Sequence, residues 1–386
     1  MRYFSIIALI LISANILFAQ FSKNIEVSSY WDDNLYRSPQ PVNDLLTDVG
    51  IQLSYRPDDS NLNYYYNGSL FLYQNNSLRN FSAHDVGINY FNPFGQDDRH
   101  KFYLGAEWTL RLNGDEYNYY DYNQIYAYSN FRLDLDWLFL RGGYNFRYRS
   151  YSNLPDLTNY RHYLFLQANK SFATRTTFIL ETDLGYKSFA AQDFFIASGG
   201  MGGKGHRRMT DNYSSTTSVS EIPSLGQVVL LARISQSLHE KVGLFVQYRR
   251  QFSLTDETNF VNADGYYQDE ELFDDPFSYE SESYSTQLTW MLPWAMKLQI
   301  GGALISKNYI SEQAYTSAED SLALGGIRLD ERGSYYVNFS KTLYLNKNWL
   351  KSLNFNLKYS YIRNESNSYW YDYKNAVFGG GIQWNF

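Results

Sequence analysis

From about Lys23 onward the chain alternates apolar and polar residues with a period of two, in runs of roughly 12 to 16 residues. Phe102, Leu104, Ala106, Trp108, Leu110 and Leu112 alternate with Tyr103, Gly105, Glu107, Thr109, Arg111 and Asn113. Leu353, Phe355, Leu357, Tyr359 and Tyr361 alternate with Asn354, Asn356, Lys358, Ser360 and Ile362. The stretches 124–135, 138–149 and 178–187 repeat the pattern. Successive side chains of a strand point to opposite faces, so each run makes a strand with one apolar and one polar face. Two folds can use such strands. A sandwich packs the apolar faces together and wets the polar ones, whereas a membrane barrel turns the apolar faces to lipid and the polar ones to its lumen.

Segment length and the parity of the connections separate the two. The pattern predicts strands near 22–34, 45–56, 61–75, 81–92, 101–114, 122–134, 137–150, 159–171, 175–190, 224–238, 241–255, 280–293, 296–308, 327–344, 353–364 and 372–386, sixteen in all. Soluble strands usually run ~5–6 residues, and a tilted membrane strand needs ~9–11. Short connections (57–61, 134–137, 171–174, 238–241, 293–296) follow even strands, and longer ones (151–158, 191–223, 256–279, 309–326) follow odd strands. Short turns on one side and long loops on the other are the asymmetry of an outer-membrane barrel. The expected fold is therefore an all-β, antiparallel transmembrane β-barrel of about sixteen strands. The turns at 93–100 and 345–352 are long for the short side and leave fourteen or eighteen strands open.

Composition agrees. The 38 Tyr, 26 Phe and 8 Trp make 19% of the chain aromatic, and Tyr and Trp favour the two membrane interfaces. Mean hydropathy is −0.46, against a bundle of membrane helices that each need ~20 apolar residues. The absence of Cys excludes disulfides, thiolate metal sites, a Cys nucleophile and a lipid-modified Cys. A net charge of −7 gives no indication of nucleic acid binding.

The two ends refine the expectation. Residues 1–20, MRYFSIIALILISANILFAQ, combine Arg2, an apolar run and the small Ala19, and read as a secretory signal peptide ahead of one barrel domain at 21–386. The chain ends NAVFGGGIQWNF. Gly381, Trp384 and the terminal Phe386 resemble the C-terminal signal of outer-membrane barrel proteins, although Gly379 stands where a polar residue is usual. That resemblance implies recognition of the last strand by the outer-membrane insertion machinery through β-augmentation, and surroundings of outer-membrane lipid and lipopolysaccharide. The first hairpin, SSYWDDNLYRSPQPVNDLLTDVGIQLSYRPDD, resembles over Tyr30–Asp59 the barrels encoded with exopolysaccharide export systems. It implies an association with extracellular polysaccharide and supplies no catalytic residues.

The alternation also assigns a lumen-facing set: Arg132, Arg141, Arg147, Arg149, Arg161, Arg233 and Arg249, with Glu181, Asp183 and Lys187. It reads either as a basic stripe that draws anions into a water-filled pore or as cross-strand ion pairs bracing the wall. Thr255–Ser283 carries ten carboxylates and no Lys or Arg. It can fold inward as a constriction, bind a divalent cation or stand as a solvated loop. The glycine-rich GGMGGKGHRR at 199–208 lacks the Ser or Thr and the helix that a phosphate-cradling loop requires. Of five His, His84 and His162 fall near predicted extracellular strand ends, with no nucleophile or carboxylate at a recognisable spacing and no paired His for zinc. The expected function is a porin-like or polysaccharide-associated channel for polar solutes, without enzymatic chemistry or cofactor. The alternatives are a plugged, glycan-binding surface barrel and, behind it, a barrel enzyme.

Overall fold

The computed structural model describes residues 20–189, 193–195, 219–221, 224–256, 274–347 and 349–386. The expected leader, save its last residue, the glycine-rich stretch at 199–208 and residues 257–273 of the acidic segment lie outside them.

The strands are β1 Phe21–Asp32, β2 Asp44–Tyr55, β3 Leu62–Tyr73, β4 Phe81–Phe94, β5 His100–Asn113, β6 Tyr122–Leu135, β7 Leu138–Tyr151, β8 Asn159–Ser171 and β9 Thr176–Phe189. They continue as β12 Leu225–His239, β13 Val242–Ser253, β14 Tyr279–Leu292, β15 Met296–Gln313, β16 Ile327–Lys347, β17 Leu350–Ser366 and β18 Tyr373–Asn385. Two three-residue strands, β10 Asp193–Phe195 and β11 Val219–Glu221, pair with each other outside the barrel sheet. Each barrel strand runs antiparallel to its neighbours, β9 pairs with β12, and β1 closes on β18 from Asn24↔Asn385 to Asp32↔Val377. Closure removes the sheet edge, so the strand N–H and C=O groups find partners within the wall, as a lipid environment requires.

Sixteen strands thus form one closed barrel. The two turns that look long in the sequence are absorbed by strand. β4 stays paired as far as Phe94↔His100, and the β16–β17 pairing reaches Lys347↔Leu350. Tight reversals are made by left-handed residues even without glycine: Trp294 and Ala295 sit at φ 57° and 55° between β14 and β15, matching the twist of a two-residue hairpin. The short turns all lie at one end and the long loops at the other. Wall height is uneven, because β1 to β3 have 12 residues each while β15, β16 and β17 have 18, 21 and 17.

The outer face is the apolar row. Leu104, Trp108, Ile125, Leu164, Leu180, Leu304 and Leu357 are all exposed on it. The inner face is identified by hydrogen bonds that skip a strand, which only the concave side allows. Tyr65 on β3 donates to Glu107 on β5 (2.7 Å), and Tyr128 on β6 to Asn89 on β4 (2.9 Å). Gln227 on β12 donates to Tyr163 on β8 (2.6 Å), and Tyr336 on β16 to Gln287 on β14 (2.5 Å). In all four the residue beneath the ring, directly opposite on the strand between, is glycine: Gly87, Gly105, Gly185 and Gly301. A Cβ on these glycines would stand 2.3, 2.4, 2.8 and 2.5 Å from the tyrosine above. The rings therefore lie flat on the wall as crossbars instead of projecting into the bore.

Candidate functional site

Arg132, Arg141, Arg147, Arg149, Glu181, Asp183, Arg233 and Arg249 all stand on the inward rows, alternating with the exposed apolar row. The pairing brings several together. Lys101, Arg132 and Arg141 face one another across β5, β6 and β7. Arg147, Arg161 and Lys187 do so across β7, β8 and β9. Like charges directly opposite are unfavourable, so each triple calls for anions or neutral acceptors close by.

Among the described residues the acceptors are largely amides and aromatic rings. Arg149 donates to Gln124 (3.0 Å) and lies 4.2 Å above the Tyr122 ring. Arg147 donates to Asn159 (3.1 Å), Arg233 to Gln247 (2.8 Å) and Arg249 to Gln251 (3.0 Å). Arg132 rests on the Phe139 ring, and Glu181 accepts from Gln167. Among the described residues Arg132, Arg141, Arg233 and Arg249 form no salt bridge. An arginine held by neutral acceptors keeps its charge available to a solute.

The carboxylates of the adjoining arc, β1 to β5, were not singled out from the sequence. Glu26 on β1, Asp48 on β2, Asp85 on β4 and Glu107 on β5 are also on inward rows. Alternation alone would have found them had it been followed through the first five strands. On β6 to β13 the inward cations outnumber the inward carboxylates Asp134, Glu181 and Asp183, while β1 to β5 carry Glu26, Asp48, Asp85 and Glu107 together with Lys101 and Arg111. On β1 to β4, near the short-turn end, an open groove is lined by Asn24, Gln52, Asn63, Asn67 and Asn89.

The end of the acidic segment lies inside the barrel. Asp275, Phe277 and Ser278 are buried. Asp275 pairs with Lys187 of β9, accepts from the Phe277 amide (3.0 Å) and, through its carbonyl, from the Ser278 hydroxyl (2.6 Å). Asp274 pairs with Lys307 of β15 and accepts from the Tyr309 hydroxyl at 2.5 Å. Burial would raise the Asp274 carboxyl, but the Lys307 and Arg328 charges and these hydrogen bonds outweigh it and hold it well below the ordinary range. Phe277 packs 5.9 Å from the Tyr163 ring, and Gln251 donates to the carbonyls of Pro276 and Tyr279. Above this segment Arg328, almost fully buried, binds Asp330 through two nitrogens (3.0 and 2.5 Å) and Glu312 at 2.9 Å, and its guanidinium lies 3.2 Å from the Tyr371 ring centre. Such a buried ionic cluster fixes geometry more than it adds stability.

The DDNLYRSP stretch ties the seam between β1 and β18 at the long-loop end. Asn34 donates to the carbonyls of Ser38 and Lys374, both at 2.8 Å, and accepts from the Ser38 amide. Asn375 donates to Asp32 (2.6 Å), and the Ala376 amide to Asp33 (2.6 Å). Gly381 and Trp384 lie within β18, with Gly381 opposite Ser28 and Trp384 opposite Ile25, and the Phe386 amide donates to the Lys23 carbonyl (3.0 Å). His84 and His162 stand on outward rows, each bonded to a tyrosine: Tyr66 at 2.9 Å and Tyr144 at 2.6 Å. Among the described residues no three His, Asp or Glu are grouped so as to hold a metal ion.

Comparison with solved structures places the fold. A structure of OpdK from Pseudomonas aeruginosa with vanillate superposes with a TM-score of 0.52 at 9% identity, over 95% of this chain and 99% of that one. OccK8 (OprE) from the same organism gives 0.50 at 8% identity, over 95% and 98%. The likeness is one of fold: both are closed barrels of outer-membrane proteins. No family model matches the chain, and no curated protein matches it.

Proposed function

We propose that this protein lies in the bacterial outer membrane, after removal of its leader, and conducts polar solutes, anions in preference to cations, without transforming them. The observation that carries the reading is the excess of inward cations on β6 to β13 of a closed sixteen-strand barrel, whose arginines are held, among the described residues, mostly by amides and rings. The exposed apolar outer rows suit lipid and lipopolysaccharide. The fold it shares with outer-membrane proteins agrees with that setting. The last strand, with Gly381, Trp384 and Phe386, would serve the insertion machinery. An extracellular polysaccharide is a candidate solute or partner on the resemblance of the first hairpin alone.

The test is a planar-bilayer conductance trace. Wild type should prefer anions despite the protein's net negative charge. Reversing Arg147 and Arg149 to Glu together should move the reversal potential toward cation selectivity, more so at low salt, where screening is weaker. A folded protein that is electrically silent, and stays so when 257–273 is deleted, would sink the channel. The second reading, a plugged glycan-contacting barrel, is favoured by the inward seat of Asp274–Ser278 and would then take its place.

A further inference from the structure

The inner wall sets a row of cations beside a carboxylate of the chain itself. Arg147, Arg161 and Lys187 stand directly opposite one another on three adjacent strands, with strand spacings of about 4.8 Å. A row of three cations at that spacing is unfavourable unless negative charge lies along it. The Asp275 carboxylate supplies part of that charge at the Lys187 end. Phe277 lies beside the middle cation, with Arg161 5.8 Å from its ring centre. The segment from Asp274 to Ser278 is held by side-chain contacts to β8, β9, β13 and β15.

We infer that the Arg147–Arg161–Lys187 row binds carboxylate-bearing solutes and that Asp275 is its tethered resident, displaced when such a solute enters. The inference rests on the reading of the interior as a solute path. A carboxylate of the solute would replace that of Asp275 on Lys187, and Phe277 would leave the face of Arg161. One carboxylate replaces another on Lys187, so the exchange avoids leaving a buried lysine unpaired. Tethering gives the resident an advantage, and a solute's apparent affinity falls by the fraction of molecules in which the row is vacated. The wild-type site would therefore bind weakly.

The experiment is calorimetric titration of the refolded full-length barrel in detergent with glutarate, with trigalacturonate and with neutral maltotriose. Asp275→Asn keeps the shape of the resident and removes its charge. Phe277→Ala keeps the charge and removes the apolar anchor, and guards against loss of folding in the first variant. Heat-modifiable gel mobility verifies folding of each. Both variants should bind at least one acid about tenfold or more tightly than wild type, because a solute's apparent affinity rises with the fraction of molecules in which the row is vacated. Adding Lys187→Met to Phe277→Ala should cancel that gain, and maltotriose should be unaffected. A gain for glutarate alone identifies a small-anion site, and a gain for trigalacturonate identifies an acidic chain. Unchanged affinity for both acids in a folded Phe277→Ala protein, or an equal gain for maltotriose, overturns the inference. Conductance is read separately: a silent barrel that shows the acid-specific gain loses the channel and keeps the site.

Discussion

Gly87 gives the sharpest test of how the wall is built. Replacing it with Ala puts a Cβ 2.3 Å from the Tyr65 ring, a separation that cannot persist. The backbone is fixed by pairing on both sides, so the ring must swing off the wall into the bore. Its 2.7 Å hydrogen bond to Glu107 is then lost. A hydrogen bond to a charged group contributes about 1.5–3 kcal/mol. Against this, Ala gains about 0.5–1 kcal/mol over Gly within a strand. The net expectation is a loss of about 1–2 kcal/mol, near tenfold in the folding equilibrium. Gly243, on an inward row of β13, is the control. A Cβ there meets nothing within 4 Å, so Gly243→Ala should stabilise slightly. The assay is urea unfolding in lipid vesicles, followed by tryptophan fluorescence. Repeating Gly87→Ala in a Tyr65→Ala background completes the cycle, because with the ring gone the penalty should vanish. Equal effects at Gly87 and Gly243, or a Gly87 penalty that survives removal of Tyr65, would refute the steric argument.

Three further outcomes are expected. Leu357→Arg on the lipid face of β17 should cost ~2–4 kcal/mol in the same assay, and Asn356→Arg on the inner face much less; the reverse order would put the register off by one. Asp330→Asn leaves Arg328 short of its main partner and should loosen the long-loop end by about 3–5 kcal/mol, seen as faster proteolysis within 314–326 with little change in membrane insertion. The folded Asp274 carboxyl is depressed, so its contribution is present above the ordinary carboxyl range near pH ~4 and is lost only as pH falls through the lower folded value. Hydrogen exchange at 274–278 should therefore stay slow through pH 4 and quicken only in stronger acid; release between pH 7 and 5 would contradict the ion pairs.

The barrel was legible in the sequence because lipid and water impose opposite demands on successive residues, and strands such as Phe102–Asn113 record both. The inward set of arginines followed from the same parity. What parity cannot supply is register. Tyr65 and Gly87 become partners only once β3 and β4 are aligned, so the crossbars are invisible in either strand alone. The seat of Asp275 depends on Lys187, 88 positions away, and that of Asp274 on Lys307, 33 away. An acidic run reads the same whether it is solvated or folded against a basic wall. The turns at 93–100 and 345–352 read as long because pairing there outlasts the apolar pattern that marks a strand.

The unequal strands have a consequence for the bilayer. At about 3.3 Å per residue and a tilt near 45°, a 12-residue strand stands about 28 Å tall and a 21-residue strand about 49 Å. The first roughly matches the hydrocarbon slab, and the second overshoots it by some 20 Å. The outer rows of that overhang carry the exposed Glu331 and Glu365, which suit water and not hydrocarbon, so the excess length rises out of the bilayer as a one-sided parapet. A protease or antibody acting from outside the membrane should reach β15 to β17 while β1 to β3 stay shielded by lipid.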